Sequence, residues 1–208
     1  LGVVAADFDG NRRLDLFVAN DTRANFLFRN LAPADNQPVS LVESAMRAGL
    51  AFSAEGEPEG CMGIAVGDVD GDGTLDLFVT NYVSQSNTLY SLKRTRTSQT
   101  TGGFFLDRTR PAGLFDNAFS LVGWGTEFLD ADLDGDLDLL VTNGHLNGHL
   151  REGEQLAMPP LCYRNNGTGQ FSSLAAEQLG PYFGKNSVGR GLAVLDWNND
   201  GRCDALVT

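Results

Sequence analysis

The sequence has few of the residues that build disulfide frameworks or transition-metal sites. Its 208 residues include only three cysteines and two histidines. The cysteines are too few for a disulfide framework and their spacing matches no zinc pattern, so we expect Cys61, Cys162 and Cys203 to be small buried hydrophobes. No apolar run approaches the length of a membrane span, so no span is expected in this chain.

The sequence also has too little positive charge for a basic surface. Lys and Arg number 15 against 27 Asp and Glu, and the net charge is −12. A general nucleic-acid-binding protein needs a basic face, so nucleic acid is not an expected partner. Fifteen of the acidic residues lie in four short segments, and the rest of the chain is close to neutral. This local acidity indicates a site rather than a diffuse solubility surface.

The four acidic segments are copies of one repeat. They read "DFDGNRRLDLFVAN" from Asp7, "DVDGDGTLDLFVTN" from Asp68, "DADLDGDLDLLVTN" from Asp130 and "DWNNDGRCDALVT" from Asp196. Their starts lie 61, 62 and 66 residues apart. Each segment follows one short apolar run and contains another, and such runs bounded by Gly and Asn predict β-strands.

Further strands are predicted later in each unit. The segments are "NFLFRN" from Asn25, "NTLYSL" from Asn87, "LCYRNNGTGQF" from Leu161, and the closing strands "FFLD" from Phe104 and "GQFSSL" from Gly169. Only "QLAM" and "SLAAEQLG" suggest a helical turn or two. About four short strands in roughly 62 residues is the size of a β-propeller blade.

These units predict an all-β protein. Residues 1–208 are expected to form a single β-propeller region, with repeat units starting near residues 3, 64, 126 and 191. About three and a half blades of four antiparallel strands fit this length, which predicts a fragment or a partial propeller.

Alternate residues of each acidic loop carry side-chain oxygens. With the first Asp as position 1, positions 1, 3, 5 and 9 hold Asp or Asn in every loop, and position 6 is Gly in the last three. Alternate side chains point inward when a chain curls around an ion, and Gly permits the bend. The predicted metal ligands are Asp7, Asp9, Asn11 and Asp15; Asp68, Asp70, Asp72 and Asp76; Asp130, Asp132, Asp134 and Asp138; Asp196, Asn198, Asp200 and Asp204; and the backbone at position 7 of Arg13, Thr74, Asp136 and Arg202.

The ion that suits these loops is Ca²⁺, and up to four are expected, one per loop. Four carboxylates about 5 Å apart would repel one another by on the order of 20 kcal/mol at an effective dielectric near 20, and a divalent cation removes that cost. Ca²⁺ accepts six to eight oxygen ligands, whereas Mg²⁺ retains its waters. No His or Cys stands at a ligand position, which disfavours zinc and copper. An EF-hand would need Glu at position 12, where every loop has Val.

The four loops are expected to differ in calcium affinity. Loop one has Asn11 in place of an Asp, and Arg12 stands at the bend where the others have Gly. A non-Gly residue forced to positive φ there would cost roughly 1 kcal/mol. We therefore expect loop one to bind calcium most weakly, and loops two and three most tightly.

These repeats resemble FG-GAP or VCBS-type repeats, the calcium-loop blades of integrin-α-like propellers. Three stretches resemble a narrower group, the cartilage-acidic-protein and ASPIC/UnbV-type proteins: "GWGTEFLDADLDGDLDLLVTNGHLN", "MPPLCYRNNGTGQF" and "VGRGLAVLDWNNDGRCDALVT". The resemblance covers nearly the whole chain and implies the propeller fold and calcium binding. Such propellers serve adhesion, sugar binding and occasionally catalysis, so the fold does not define the function.

Two function classes remain open. One is a non-catalytic calcium-binding propeller that presents loops to a protein or glycan outside the cytoplasm, whether secreted, periplasmic or at the cell surface. The other is a calcium-stabilised propeller enzyme acting on polysaccharide, of lyase or dehydratase type. No catalytic constellation is evident, and a concave pocket holding a Lys, Arg, His or Tyr beside a free carboxylate outside the acidic loops would favour the enzyme.

Three other segments invite interpretation. His145 and His149 in "NGHLNGHL" are expected to lie in a connection between strands, with a ligand site as the alternative. The basic stretch from Lys93 to Thr101 is expected to be a solvated insertion, with a grip on an anionic glycan as the alternative. The acidic connection "SAEGEPEG" from Ser53 has no assigned role.

Overall fold

The computed structural model describes residues 2–32, 37–94, 103–115, 117–146, 150 and 153–208. Within these ranges the chain forms fourteen β-strands and two four-residue helices, which confirms the predicted all-β class. The elements are β1 (Gly2–Ala6), β2 (Asp15–Ala19), β3 (Phe26–Asn30), β4 (Leu41–Glu43), α1 (Ala45–Ala48), β5 (Ile64–Gly67), β6 (Asp76–Val79), β7 (Thr88–Lys93), β8 (Phe104–Asp107), β9 (Gly123–Leu129), β10 (Asp138–Asn143), β11 (Leu161–Asn165), β12 (Phe171–Ser173), α2 (Ala176–Leu179), β13 (Leu192–Leu195) and β14 (Asp204–Val207). His149 and residues 95–101 of the predicted basic insertion lie outside the described residues.

The strands form a series of antiparallel meanders. Their orders are β1-β2-β3-β4, β5-β6-β7-β8, β9-β10-β11-β12 and β13-β14. Three four-stranded sheets and one two-stranded sheet therefore give the three and a half blades of a partial propeller.

Successive sheets meet through their first strands, so that β1 contacts β5, β5 contacts β9 and β9 contacts β13. A glycine makes each approach possible. A Cβ on Gly2 would lie 2.7 Å from the Met62 carbonyl oxygen, one on Gly63 would lie 1.9 Å from that of Trp124, and one on Gly125 would lie 2.5 Å from the Leu192 nitrogen. No side chain fits such distances, so the repeated Gly fixes how closely the sheets pack.

The hydrophobic core lies between the sheets. Phe17 and Leu77 belong to the cluster between the first and second sheets, and Phe78 and Leu139 belong to the cluster between the second and third. Adjacent residues of β6 thus face opposite neighbours, because side chains alternate across a strand. This two-sided burial explains why the second strand of each of the first three units is an uninterrupted apolar run rather than an alternating one.

The structure corrects several details of the sequence-based prediction. "QLAM" is not helical, since Ala157 and Met158 form β-bridges instead. The short helix α1 was not predicted; it ends at Gly49 in the left-handed conformation (φ 78°). Strand β4 was also missed, because its exposed side chains carry no periodic signal and it is held by backbone pairing to β3.

None of the three cysteines, all of which the structure describes, forms a disulfide, and their environments differ. Cys61 and Cys162 are buried, as expected of small hydrophobes. Cys203 is exposed, which contradicts the expectation, because it lies in the acidic loop between β13 and β14 rather than in a core.

Among the helices of the described residues, none has the length and apolar character needed to cross a membrane.

Candidate metal centres

Each acidic loop connects the first strand of a sheet to the second. The loops span residues 7–15, 68–76, 130–138 and 196–204, and the Asp at position 9 begins β2, β6, β10 or β14. The same hairpin is repeated in every sheet, so all four loops lie at the same end of their sheets.

The first Asp of each loop organises the backbone of its own loop. Its two carboxylate oxygens accept hydrogen bonds from the N–H groups at positions 5 and 6, over 2.7–3.1 Å in all four copies. The accepting residues are Asp7, Asp68, Asp130 and Asp196. The register read from the sequence is therefore a repeated three-dimensional geometry.

Position 5 forms a second local turn. Its side-chain oxygen accepts the N–H of position 7 at 2.8–3.0 Å in each loop, the pattern of an Asx turn. The pairs are Asn11 with Arg13, Asp72 with Thr74, Asp134 with Asp136, and Asp200 with Arg202. The carbonyls at position 7 remain predicted ligands.

The Asp at position 9 ties the loop to the sheet. Its Oδ2 accepts the N–H of position 2 at 3.0–3.3 Å in all four loops. In the first and third sheets Oδ1 also accepts an N–H from the third strand, that of Asn30 on Asp15 at 2.8 Å and that of Asn165 on Asp138 at 2.9 Å. The carboxylates of Asp15, Asp76 and Asp138 are buried, so the position is structural as well as a candidate ligand.

Position 6 has the positive φ that the sequence suggested. Gly73, Gly135 and Gly201 have φ of 79°, 93° and 82°, and Arg12 is held at 67°. The left-handed region costs a non-Gly residue about 1–2 kcal/mol, so loop one is strained where the other loops are not.

A second left-handed bend, at position 4, was missed in the sequence. Gly10 and Gly71 occupy it in loops one and two, whereas Leu133 adopts φ 62° and Asn199 adopts 58°. Asn tolerates this conformation and Leu does not. Only loop two has Gly at both bends. Loop three is strained at Leu133, which a count of its four Asp ligands does not reveal.

Three loops bring carboxylate oxygens together. Oxygens within 4.8 Å of one another come from Asp7, Asp9 and Asp15; from Asp68, Asp70 and Asp76; and from Asp130, Asp132 and Asp134. Asp72 and Asp138 stand outside these groups. Loop four is fully described but forms no such triple of carboxylates, since Asn198 replaces an Asp and its Nδ2 donates to Asp200 Oδ2 at 3.0 Å.

Burial leaves some of these oxygens without protein partners. Asp9 Oδ2 and Asp76 Oδ1 are buried and accept no hydrogen bond from the described residues. Burial raises the pKa of Asp9, Asp15 and Asp138, and raises that of Asp76 to about 6, although the Val69 amide offsets part of the effect. Desolvated, unpartnered oxygens at converging carboxylates are the environment that a hard divalent cation stabilises.

Arginine side chains lie beside carboxylates of two acidic loops. Arg164 forms an ion pair with Asp132 in loop three, with Nη2 2.8 Å from Oδ2. The Arg29 guanidinium lies near Asp9 and opposes the upward shift of its pKa. A bound ion would have to share these carboxylates with an arginine, so loops one and three are electrostatically less favourable than loop two.

His145 is part of the packing between sheets. It is fully buried, its ring lies 5.7 Å from that of Tyr82, and its Nε2 is 3.3 Å from Glu154 Oε2. Arg190 Nη2 donates to its carbonyl oxygen at 2.8 Å. These contacts agree with the expected connection between strands.

One partly buried carboxylate outside the acidic loops escaped the sequence analysis. Glu59 Oε2 accepts hydrogen bonds from Asn81 Nδ2 at 3.0 Å and from Thr88 Oγ1 at 3.1 Å. Burial raises the pKa of Glu59 to about 7. No sequence signal could have found it, because its partners lie 22 and 29 residues further along the chain.

Fold and site together define a propeller-type repeat protein in which the first hairpin of every blade carries an acidic loop. The chain belongs to the FG-GAP-like repeat family, which its sequence matches over residues 7–79 and 130–207. Each matched segment begins at one acidic loop and ends in the strand that follows the next acidic loop. No curated protein matches the sequence.

Proposed function

We propose that this chain is a non-catalytic, calcium-stabilised propeller module that presents its connecting loops to a protein or glycan partner outside the cytoplasm. The observation that carries the proposal is the convergence of carboxylate oxygens in three of four in-register loops. On this proposal residues 1–208 are a single propeller region with units starting near 3, 64, 126 and 191. The resemblance to the cartilage-acidic-protein and ASPIC/UnbV-type group supports the same assignment.

Calcium is the ion that best fits the donor set. The converging ligands are carboxylates, with Asn and backbone carbonyls as the further candidates, and Ca²⁺ favours oxygen donors in flexible geometry. Loop four, with three Asp and one Asn, is proposed as a fourth and less acidic site. The residues proposed to hold the ions are those predicted from the loop register.

An extracellular, periplasmic or cell-surface location follows from the expected affinity. Extracellular calcium modules bind with Kd of about 10⁻⁴–10⁻³ M, so comparable sites would be largely empty at cytosolic calcium concentrations. Fractionation of the native full-length protein should place it in an exported fraction, and recovery from the soluble cytoplasm would contradict the proposal.

The alternative of a propeller enzyme acting on polysaccharide is favoured by one observation. Glu59 and Arg110 line a common cleft outside the acidic loops, which is the combination that a lyase or dehydratase would need. Release of unsaturated sugar products on incubation with polysaccharides would contradict the non-catalytic proposal and support the enzyme.

The loops should differ in calcium affinity in an order that the structure refines. Loop two has Gly at both bends and forms no ion pair with an arginine of the described residues, so it should bind most tightly. Loop one combines a strained Arg12 with one fewer carboxylate and should bind about tenfold more weakly, because about 1.4 kcal/mol corresponds to tenfold. Loop three should fall between them, which departs from the equal ranking of loops two and three expected from ligand count alone.

Calcium titration of one-loop variants tests this order. Asp70→Asn should remove the tightest binding step, whereas Asp9→Asn should remove a weak one. The two substitutions change the same loop position in the same way, so each is the matched control of the other. If Asp9→Asn abolishes the tightest step, the order is wrong.

A further inference from the structure

A cleft lies at the end of the second sheet opposite the acidic loops. Its walls come from three connections: residues 53–59 before β5, residues 84–86 between β6 and β7, and residues 107–115 and 119 at and after the end of β8. In an antiparallel meander these connections all lie at the end away from the hairpin between the first and second strands. The cleft is therefore separate from the candidate metal centres.

The cleft has aromatic and polar walls. The larger of its two adjoining parts has a volume of about 470 Å³ and is lined by Glu55, Glu57, Glu59, Arg110, Phe115 and Phe119. The smaller part, of about 150 Å³, adds Asp107 and Thr109. Such a combination of aromatic surface and converging polar groups is typical of ligand sites.

The aromatic wall is held in place before any ligand binds. The Arg110 guanidinium lies 3.3 Å from the centroid of the Phe115 ring, and the Phe115 and Phe119 rings are 6.1 Å apart. The Ser84 N–H donates to the Phe119 carbonyl oxygen at 2.8 Å, which fixes this wall to the opposite connection. Ser84 itself is held at φ 67°, an unfavourable conformation for a non-Gly residue. A preformed site loses less entropy on binding.

The cleft offers hydrogen-bond donors and acceptors together. Stacking on Phe115 covers one face of the Arg110 guanidinium, and within the described ranges no ion pair joins Arg110 to a carboxylate. Glu55 and Glu57 are exposed at the rim. Phe119 is 45% exposed and presents apolar surface in the same cleft.

We propose that this cleft binds a neutral oligosaccharide. Sugar hydroxyls both donate and accept hydrogen bonds, so one ring can donate to the glutamates and accept from Arg110 while its C–H face packs on Phe119. This proposal deepens the recognition role proposed above, on which it rests, by assigning it a site and a ligand class.

The charges of the described lining disfavour other ligands. Four carboxylates surround one arginine, so a polyanionic glycan would be repelled. A basic peptide would be repelled by Arg110, because the Arg110 guanidinium already occupies the place on the aromatic wall where a cationic side chain of the peptide would stack. A neutral saccharide avoids both conflicts.

Calorimetric titration of the 208-residue chain with saturating calcium tests the proposal. The probes are neutral oligosaccharides from dextran, cellulose and mannan, with polygalacturonate and oligolysine as charged alternatives. Phe119→Ala and Arg110→Gln should each weaken binding of the neutral probe about tenfold, since burial of apolar surface on Phe119 and a hydrogen bond from the charged Arg110 each contribute on the order of 1.4 kcal/mol. Phe26→Ala is the matched control, because Phe26 is 43% exposed on β3, away from the cleft, and should leave binding unchanged.

The outcomes separate this inference from the broader function. Melting of the same samples with and without calcium reports the metal centres independently of the cleft. Loss of binding in the two cleft variants alone supports the proposal. Absence of binding to every neutral probe, tighter binding of a charged one, or equal weakening by Phe26→Ala overturns it, even where calcium still raises the melting temperature.

Discussion

Removal of calcium is expected to lower the melting temperature sharply or to unfold the chain. With Kd near 10⁻⁴ M and calcium tenfold higher, each site would contribute about 1.4 kcal/mol by mass action. Four such sites would contribute roughly 5–6 kcal/mol, which is comparable to the whole stability of many domains. The physical reason is that the converging Asp carboxylates repel one another when no cation lies between them.

Thermal unfolding in excess chelator and in excess calcium is the measurement. Magnesium added back after chelation is a control for divalent charge alone, and it should restore less stability because Mg²⁺ resists losing its waters. The variant Asp70→Asn should show a smaller calcium-dependent rise than the natural chain. A melting curve that does not change in excess chelator would refute the role of calcium in stability.

The register of the acidic loops could be predicted from sequence because it is local. Asp7 and its three equivalents bond to backbone groups four and five residues further on, so a repeated spacing is enough to predict the geometry. The bend at position 4 was not predictable in the same way, because only two of its four residues, Gly10 and Gly71, are Gly. The bend at position 6 could be predicted only because three of its four residues are Gly.

The strands could be predicted where their burial requires a recognisable hydrophobic pattern in the sequence. β6 is buried on both faces and is therefore a continuous apolar run, whereas β4 is exposed and left no pattern. The ion pair of Arg164 with Asp132 joins residues 32 positions apart and the Glu59 contacts join three separate segments, so neither has a local signature. Besides α1, β4 and the bend at position 4, the sequence analysis missed these long-range contacts between side chains.

The partly buried carboxyl of Glu59 should make the protein less stable as the pH rises. Burial is the main cause of the raised pKa of Glu59, which is about 7 in the folded chain against an ordinary value of 4.5. Between these values the folded state retains a proton that the unfolded state has released. The corresponding stability is complete below about pH 4.5 and is lost as the pH rises to about 7, by on the order of 3 kcal/mol in total.

Glu59→Gln should remove this pH dependence, because Gln retains an oxygen to accept from Asn81 and Thr88 but never ionises. With calcium saturating, the fall in melting temperature between pH 5 and pH 8 should be smaller in the variant by roughly 5–10 °C, since 1 kcal/mol shifts the melting of a chain this long by about 2–4 °C. Glu57→Gln changes an exposed carboxylate in the same connection and should behave like the natural chain. Comparing each variant with the natural chain at both pH values cancels the titration of the calcium loops, which all three proteins share.

An equal pH dependence in the natural chain and in Glu59→Gln would show that Glu59 ionises at its ordinary pKa, and that its contacts with Asn81 and Thr88 do not exclude water from the carboxylate.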